Sequence, residues 1–268
     1  MATSQTAPAA PRSLRVTPRV WIGLAIYIGY VILVFVVQRA SGVPYTDFGR
    51  SGADLFFGAG LSLIIGAVLL AITASILGWW HPALFDRHRA KHRWPIIAPA
   101  IMVVALILNL AGTDWAAYDG ALFAASIVLL LVGFTEEMTN RGLLLVGLRS
   151  RLSEGWVWFL TSALFALMHF SNALSGQDLL STTGQVGLAF CAGTIFYVLR
   201  RVTGSLIWAM ILHGFWDFAT FAAGYGTPGV LSGLSGFVYI AAIIVAFISL
   251  PFVIRGSDER IYSPRSVV

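Results

Sequence analysis

Residues 120–148 read GALFAASIVLLLVGFTEEMTNRGLLLVGL, and the reading of this stretch decides the fold. Residues 121–134 are apolar enough to lie in hydrocarbon, yet they run straight into Glu136, Glu137, Asn140 and Arg141. One charged side chain at the centre of a bilayer costs roughly 2.5–3.5 kcal/mol on insertion scales, and two adjacent carboxylates cost more. Such residues face a protein interior or a water-filled cavity and mark functional sites in membrane helices. The stretch therefore reads as one span of a helical bundle with a polar chamber beside it.

Composition agrees. The 268 residues are 58% hydrophobic and 11% charged, whereas about a quarter of a soluble domain is charged. Mean hydropathy is +0.83, so the chain reads as an integral, multi-pass membrane protein, with a bacterial plasma membrane as its expected location. The isoelectric point of 9.7 then reflects cationic loops held on one side of a bilayer, not nucleic-acid binding. Cys191 is the single cysteine. It permits neither an intramolecular disulfide nor a cysteine-based zinc site, and its apolar surroundings suit an inert buried thiol.

Outward from the central stretch, residues 1–19 are small, polar and Pro-containing, with Arg12, Arg15 and Arg19. They read as a disordered tail before one membrane domain over 20–254, and 255–268 read as a second tail. Apolar segments at 21–38, 54–80, 95–110, 120–148, 156–170, 183–199, 205–225 and 234–254 predict an all-α polytopic bundle of about eight transmembrane helices. The first segment is long for the apolar core of a signal peptide and is followed by more spans, so it reads as an uncleaved helix. Gly58, Ser62 and Gly66 form a stripe suited to close helix packing. Trp21, Trp79, Trp80, Trp94, Trp115, Trp156 and Trp158 fall near predicted ends, as interfacial tryptophans do. With both termini in the cytoplasm, 15 of the 17 Lys and Arg residues fall on the cytoplasmic side, and only Arg39 and Arg50 fall outside. That asymmetry fixes the direction by the positive-inside rule.

Of the five histidines, His81, His88 and His92 lie in a basic loop that suits anionic headgroups. His169 and His213 lie within apolar spans, in Phe165-x3-His169 and His213-x3-Asp217. Spacing of i,i+4 puts both members of a pair on one helical face, so Asp217 can orient His213 or share its task. Glu137 and Arg141 share the same spacing and can neutralise each other. Glu136 points about 100° away, toward Asn140, and is left without an assured partner. Measured at 1.5 Å per residue from their helix ends, Glu136, His169, His213 and Asp217 lie at overlapping depths of about 12–20 Å. Three helices thus bring proton carriers to one level.

The motifs EE-x3-R, F-x3-H and H-x3-D on these helices resemble the CPBP family of CAAX prenyl proteases and bacteriocin-processing enzymes, over roughly residues 120–225. The resemblance implies a glutamate-dependent intramembrane endopeptidase acting on a membrane-associated peptide or protein. Glu136 would activate water with the help of His169. His213 and Asp217 would stabilise the oxyanion, Asp217 chiefly by orienting His213. Glu137 and Arg141 would support the helix end, with Asn140 and Phe165 beside them. The family's last position is Asn or Asp, and here it is Asp217. An anionic residue there keeps open a zinc-dependent version of the hydrolysis, with Glu136, His169, His213 and Asp217 as candidate ligands. No cofactor is required otherwise, and nothing in the sequence sets an oligomeric state. Two further readings compete. A non-catalytic membrane scaffold or immunity protein would tolerate loss of Glu136, and a proton-coupled transporter would use the same residues as a relay.

Overall fold

A computed structural model describes residues 14–257 and 259–260. Among these the regular secondary structure is helical, and the one isolated bridge pairs Phe85 with Ser205. Seven helices are long and apolar enough to cross a bilayer: α1 (Val20–Ser41), α2 (Gly52–Leu77), α3 (Trp94–Ala111), α4 (Gly120–Leu148), α5 (Glu154–Leu174), α6 (Leu179–Thr203) and, last in the chain, Val230–Ile254. The remaining expected span is Ile207–Ala223, an apolar helix of 17 residues or fewer. It is α7 here, and Val230–Ile254 is α8. At 1.5 Å per residue α7 falls a few ångströms short of a 30 Å hydrocarbon core. Its flank of α4 and α3, together with its buried face (Ala209, Leu212, Ala219, Ala222), makes it an inner helix of the bundle.

Small residues govern how closely these helices approach. Without a hydrophobic drive between helices in lipid, association rests on packing and polar contacts. A Cβ on Gly133 of α4 would run into the Met210 carbonyl oxygen of α7, and one on Gly214 would come within 2.6 Å of the Leu130 carbonyl oxygen. The two backbones therefore touch, three residues before Glu136 and one after His213. In α2, a Cβ on Gly58 would enter the Phe48 ring and one on Gly66 would lie 3.1 Å from Tyr30 of α1, so the small-residue stripe packs as its pattern suggests.

Two hinges of the backbone matter for the site. After Glu137, α4 widens into a π-helical stretch at Met138–Leu144, and α5 tightens into a 3₁₀ turn at Met168–Phe170. Such irregularities inside helices recur at functional sites because they re-aim side chains.

The tails differ from expectation. Residues 1–13, 258 and 261–268 lie outside the described residues. The stretch from Leu14 to Arg19, expected to be disordered, docks on the end of α2. Val16 donates to the Leu77 carbonyl at 3.1 Å, and the buried Trp79 indole donates to the Val16 carbonyl at 2.7 Å. Trp79 is thus a core residue and not an interfacial anchor, whereas Trp21 and Trp156 are exposed as expected. At the other tail, Glu259 is buried and accepts from the Arg87 and His88 backbone amides at 2.8 and 2.9 Å.

Glu259 belongs to an ion cluster that closes the basic end of the bundle. Asp86, from the loop after α2, accepts from Arg149 at 2.8 Å and from Arg200 at 2.9 Å, and pairs with Arg201. Arg149 also pairs with Glu154, which accepts from the Tyr197 hydroxyl at 2.7 Å. Arg200 adds hydrogen bonds to the carbonyls of Pro82 and Arg141. Buried charges are tolerated when paired and hydrogen-bonded, and every charged side chain of this cluster has at least one oppositely charged partner. Burial alone would raise the Asp86 carboxyl, but the Arg200, Arg149 and Arg201 guanidinium groups hold it well below the usual carboxylate range. Because its folded value lies below its unfolded one, its stabilisation is fully present above about pH 4 and is lost as the pH falls. Asp86→Asn leaves three buried cations short of a partner. It should lower stability by about 3–5 kcal/mol at neutral pH, read as a lower thermal midpoint in detergent, with the difference from wild type shrinking in acid.

Candidate active site

The backbone contact of α4 with α7 sets Glu136 and Glu137 against His213. Glu137 is fully buried and accepts twice on Oε1, from Arg141 at 3.0 Å and from His213 Nδ1 at 3.0 Å. A carboxylate only accepts, so His213 donates through Nδ1 and turns Nε2 toward the other two acids. Glu136 Oε2 lies 3.8 Å from that Nε2 and Asp217 Oδ1 lies 3.7 Å from it. Neither is at hydrogen-bond distance. The orienting partner of His213 is therefore Glu137, and Asp217 sits on the opposite side of the ring from the one its expected orienting role requires. The i,i+4 pairing of Glu137 with Arg141 is present, but its carboxylate also serves a second helix.

Glu136 has an Oε2 with no hydrogen-bond partner among the described residues. Its backbone carbonyl accepts from the Asn140 amide at 2.9 Å, so the two share a face as the spacing implies. His169 sits in the 3₁₀ turn of α5, where its Nδ1 lies 2.9 Å from the Phe165 carbonyl oxygen. A carbonyl can only accept, so Nδ1 carries the proton. In the neutral ring Nε2 then presents a lone pair to the cavity.

Phe165 links the cluster. Its ring lies 5.2 Å from that of His169 and 5.4 Å from that of His213, both edge-on, and the Arg141 guanidinium sits 4.1 Å from its centroid. Phe196 of α6 stacks on His213 at 4.6 Å. Nothing in the apolar sequence around Phe196 signals that role. Tyr30 was equally silent: its hydroxyl donates to Thr135 at 3.0 Å, pinning α1 to α4 one residue before Glu136.

Glu136, His169, His213 and Asp217 line one cavity of about 1050 Å³, with Tyr30 and Phe165 in its wall. Glu137, Asn140 and Arg141 stand behind that wall. As a chemical assembly the cavity offers an acid without a fixed partner, two imidazoles with assigned tautomers and space for a peptide. Among the described residues no three His, Cys, Asp or Glu side chains form a group that could hold a metal ion.

Residues 118–219 match the family model described as type II CAAX prenyl endopeptidase, Rce1-like. Over this segment the chain is similar to the CAAX proteases, the family its motifs resemble. No curated protein matches it. The matched segment takes in α4 to α7, the four helices that carry the polar residues of the site. The seven long apolar helices make it an integral multi-pass membrane protein, and the match is to a family of membrane proteases.

The buried pair behind the cavity wall is open to a direct check. Removing one member of a buried ion pair strands the other charge and costs about 3–5 kcal/mol, whereas replacing both can be close to neutral. Arg141→Met should therefore lower the thermal midpoint markedly, and the Glu137→Gln/Arg141→Met double variant should recover most of the loss.

Proposed function

We propose that this protein is an intramembrane endopeptidase that hydrolyses a peptide bond of a membrane-associated polypeptide, with Glu136 as the base. The observation that carries the reading is Glu136, whose Oε2 is buried and makes no hydrogen bond among the described residues, in a cavity shared with His169 and His213. A structural carboxylate in such a place would be neutralised as Glu137 is; a base must keep its lone pair for water.

In this mechanism a water held by Glu136 and the Nε2 lone pair of His169 attacks the scissile carbonyl carbon. Its proton passes to Glu136, and the tetrahedral intermediate carries the negative charge on the former carbonyl oxygen. His213 already commits its Nδ1 proton to Glu137, so it can donate to that oxyanion only as the doubly protonated imidazolium. The negative charge of Glu137 compensates that cation, which makes Glu137 a positioning residue. Asp217 adds a second negative charge beside Nε2 and supports the same protonation state. Collapse of the intermediate breaks the C–N bond, and the proton on Glu136 moves to the leaving amine. The requirement for one deprotonated acid and one protonated imidazole gives kcat/KM a bell-shaped pH dependence.

The mechanism routes no step through a metal: the carboxylates and imidazoles suffice for the proton transfers. A proton-coupled transporter would need a second opening from the site toward the basic end. That end is filled by the Asp86 cluster and by Leu143, Leu144, Leu145 and Val146.

Glu136→Gln and His169→Ala should each lower cleavage by about 10²–10⁴-fold, the usual contribution of a general base, while the protein still inserts and folds. The assay is a comparison of peptide termini in membranes carrying active or Glu136→Gln protein. Unchanged termini would remove the endopeptidase reading. Stoichiometric zinc in purified protein, together with cleavage lost on chelation, would replace the metal-free mechanism by the zinc-dependent one.

A further inference from the structure

The cavity is one-sided. Its lining comes from Gln38 at the end of α1, Tyr45 and Thr46 of the following loop, Gln177 and Ser181 at the start of α6 and Ser232 at the start of α8. All of these lie at the end of the bundle opposite the Asp86 cluster, and the cavity runs from there down to Glu136 and His213 near mid-span. Nothing lines it from the Asp86 end, where Arg149, Arg200 and Arg201 knit the helices shut around buried acids. The charge count assigns the two ends to compartments: among the described residues the sealed end carries 12 of the 15 Lys and Arg, Arg39 and Arg50 lie at the open end and Arg141 is buried mid-span, so by the positive-inside rule the sealed end is the cytoplasmic one. The open mouth is then extracytoplasmic.

The lining chemistry narrows what enters. The cavity wall contains no Lys or Arg, its carboxylates are Glu136 and Asp217, and the imidazole between them is His213. Arg39 and Arg50 lie on the same outer side but line none of it, and Arg50 is engaged with Asp47 at 2.9 Å. A free C-terminal carboxylate, which a protease trimming a C-terminal tripeptide must accommodate, would meet two acids, and the one cation of the proposed mechanism, the His213 imidazolium, is already flanked by Glu136, Glu137 and Asp217. The mouth instead offers amides and hydroxyls (Gln38, Asn172, Gln177, Gln185, Tyr45) suited to main-chain hydrogen bonds, above apolar walls such as Val34, Leu63 and Leu188. Two outer loops meet across this mouth, with the Tyr45 amide donating to the Ser175 carbonyl at 2.8 Å and Gln185 donating to the Tyr45 hydroxyl at 3.2 Å.

Resting on the endopeptidase reading, we infer that the site is loaded from the extracytoplasmic side by an internal, extended segment of a membrane-anchored polypeptide, and not by a free C-terminus. The scissile bond lies in the part of the substrate that emerges from the outer leaflet.

Two measurements test this. In a Cys191→Ser background, Thr46→Cys and Ser181→Cys place thiols at the exposed mouth and Arg151→Cys places one at the sealed end. A membrane-impermeant maleimide should modify the first two in intact cells and the third only after permeabilisation. The opposite pattern overturns the outward-facing assignment while leaving the endopeptidase reading intact, since labelling needs no activity. In the membrane-proteome comparison, Glu136-dependent termini should map to extracytoplasmic segments within chains. Termini produced by loss of a few C-terminal residues on the cytoplasmic side overturn the substrate assignment. Absence of any Glu136-dependent termini removes the endopeptidase reading and the substrate assignment together, whatever the labelling shows.

Discussion

A buried carboxylate with two partners on two helices is the interaction on which the site depends. Glu137 neutralises Arg141 one turn along α4 and fixes His213 on α7, all without solvent contact. In a low-dielectric interior neither the acid nor the guanidinium is tolerable alone, so the three side chains are locked as a unit. That lock determines the direction of His213 Nε2, and with it the placement of the ring between Glu136 and Asp217. The two glutamates look equivalent in the sequence, but Glu137 is held by two bonds on its Oε1, whereas Glu136 lies no closer than 3.8 Å to a nitrogen of the His213 ring.

Close backbone approach makes the lock possible. Gly133 and Gly214 let α4 and α7 touch, which brings residues 136, 137 and 213 within side-chain reach. The irregular turns complete the arrangement. The π-helical stretch after Glu137 carries Arg141 to the face of Phe165, and the 3₁₀ turn lets the Phe165 carbonyl take the proton of His169 Nδ1. Packing, ring stacking and tautomer choice are therefore consequences of a few local backbone features.

The bundle has two unlike ends. One is closed by paired ions drawn from the loop after α2, the turn before α5, the end of α6 and the C-terminal segment. The other is held by a few weaker polar contacts between loops around the cavity mouth. Rigidity at the sealed end gives the site a fixed floor, and a loosely joined mouth suits a site that must admit a polypeptide.

Much of this was legible in the residues. Hydropathy and charge asymmetry are linear properties, so span number, approximate boundaries and the sign of each loop could be read directly. The i,i+4 pairs of Glu137 with Arg141, Phe165 with His169 and His213 with Asp217 are set by helical periodicity, and their sharing of a face followed. What a partner on another helix does has no periodic signature. The bond from His213 to Glu137 in place of Asp217, the stacking of Phe196, the anchoring by Tyr30 and the docking of Glu259 and of the stretch from Leu14 to Arg19 all arise between residues distant in sequence. The sequence by itself determined that this is a helical membrane protein with buried acids and imidazoles at one depth, because burial energetics act on each segment separately. Only the tertiary structure decided which acid is free, which nitrogen faces it and at which end the chamber opens, because those depend on how the helices meet.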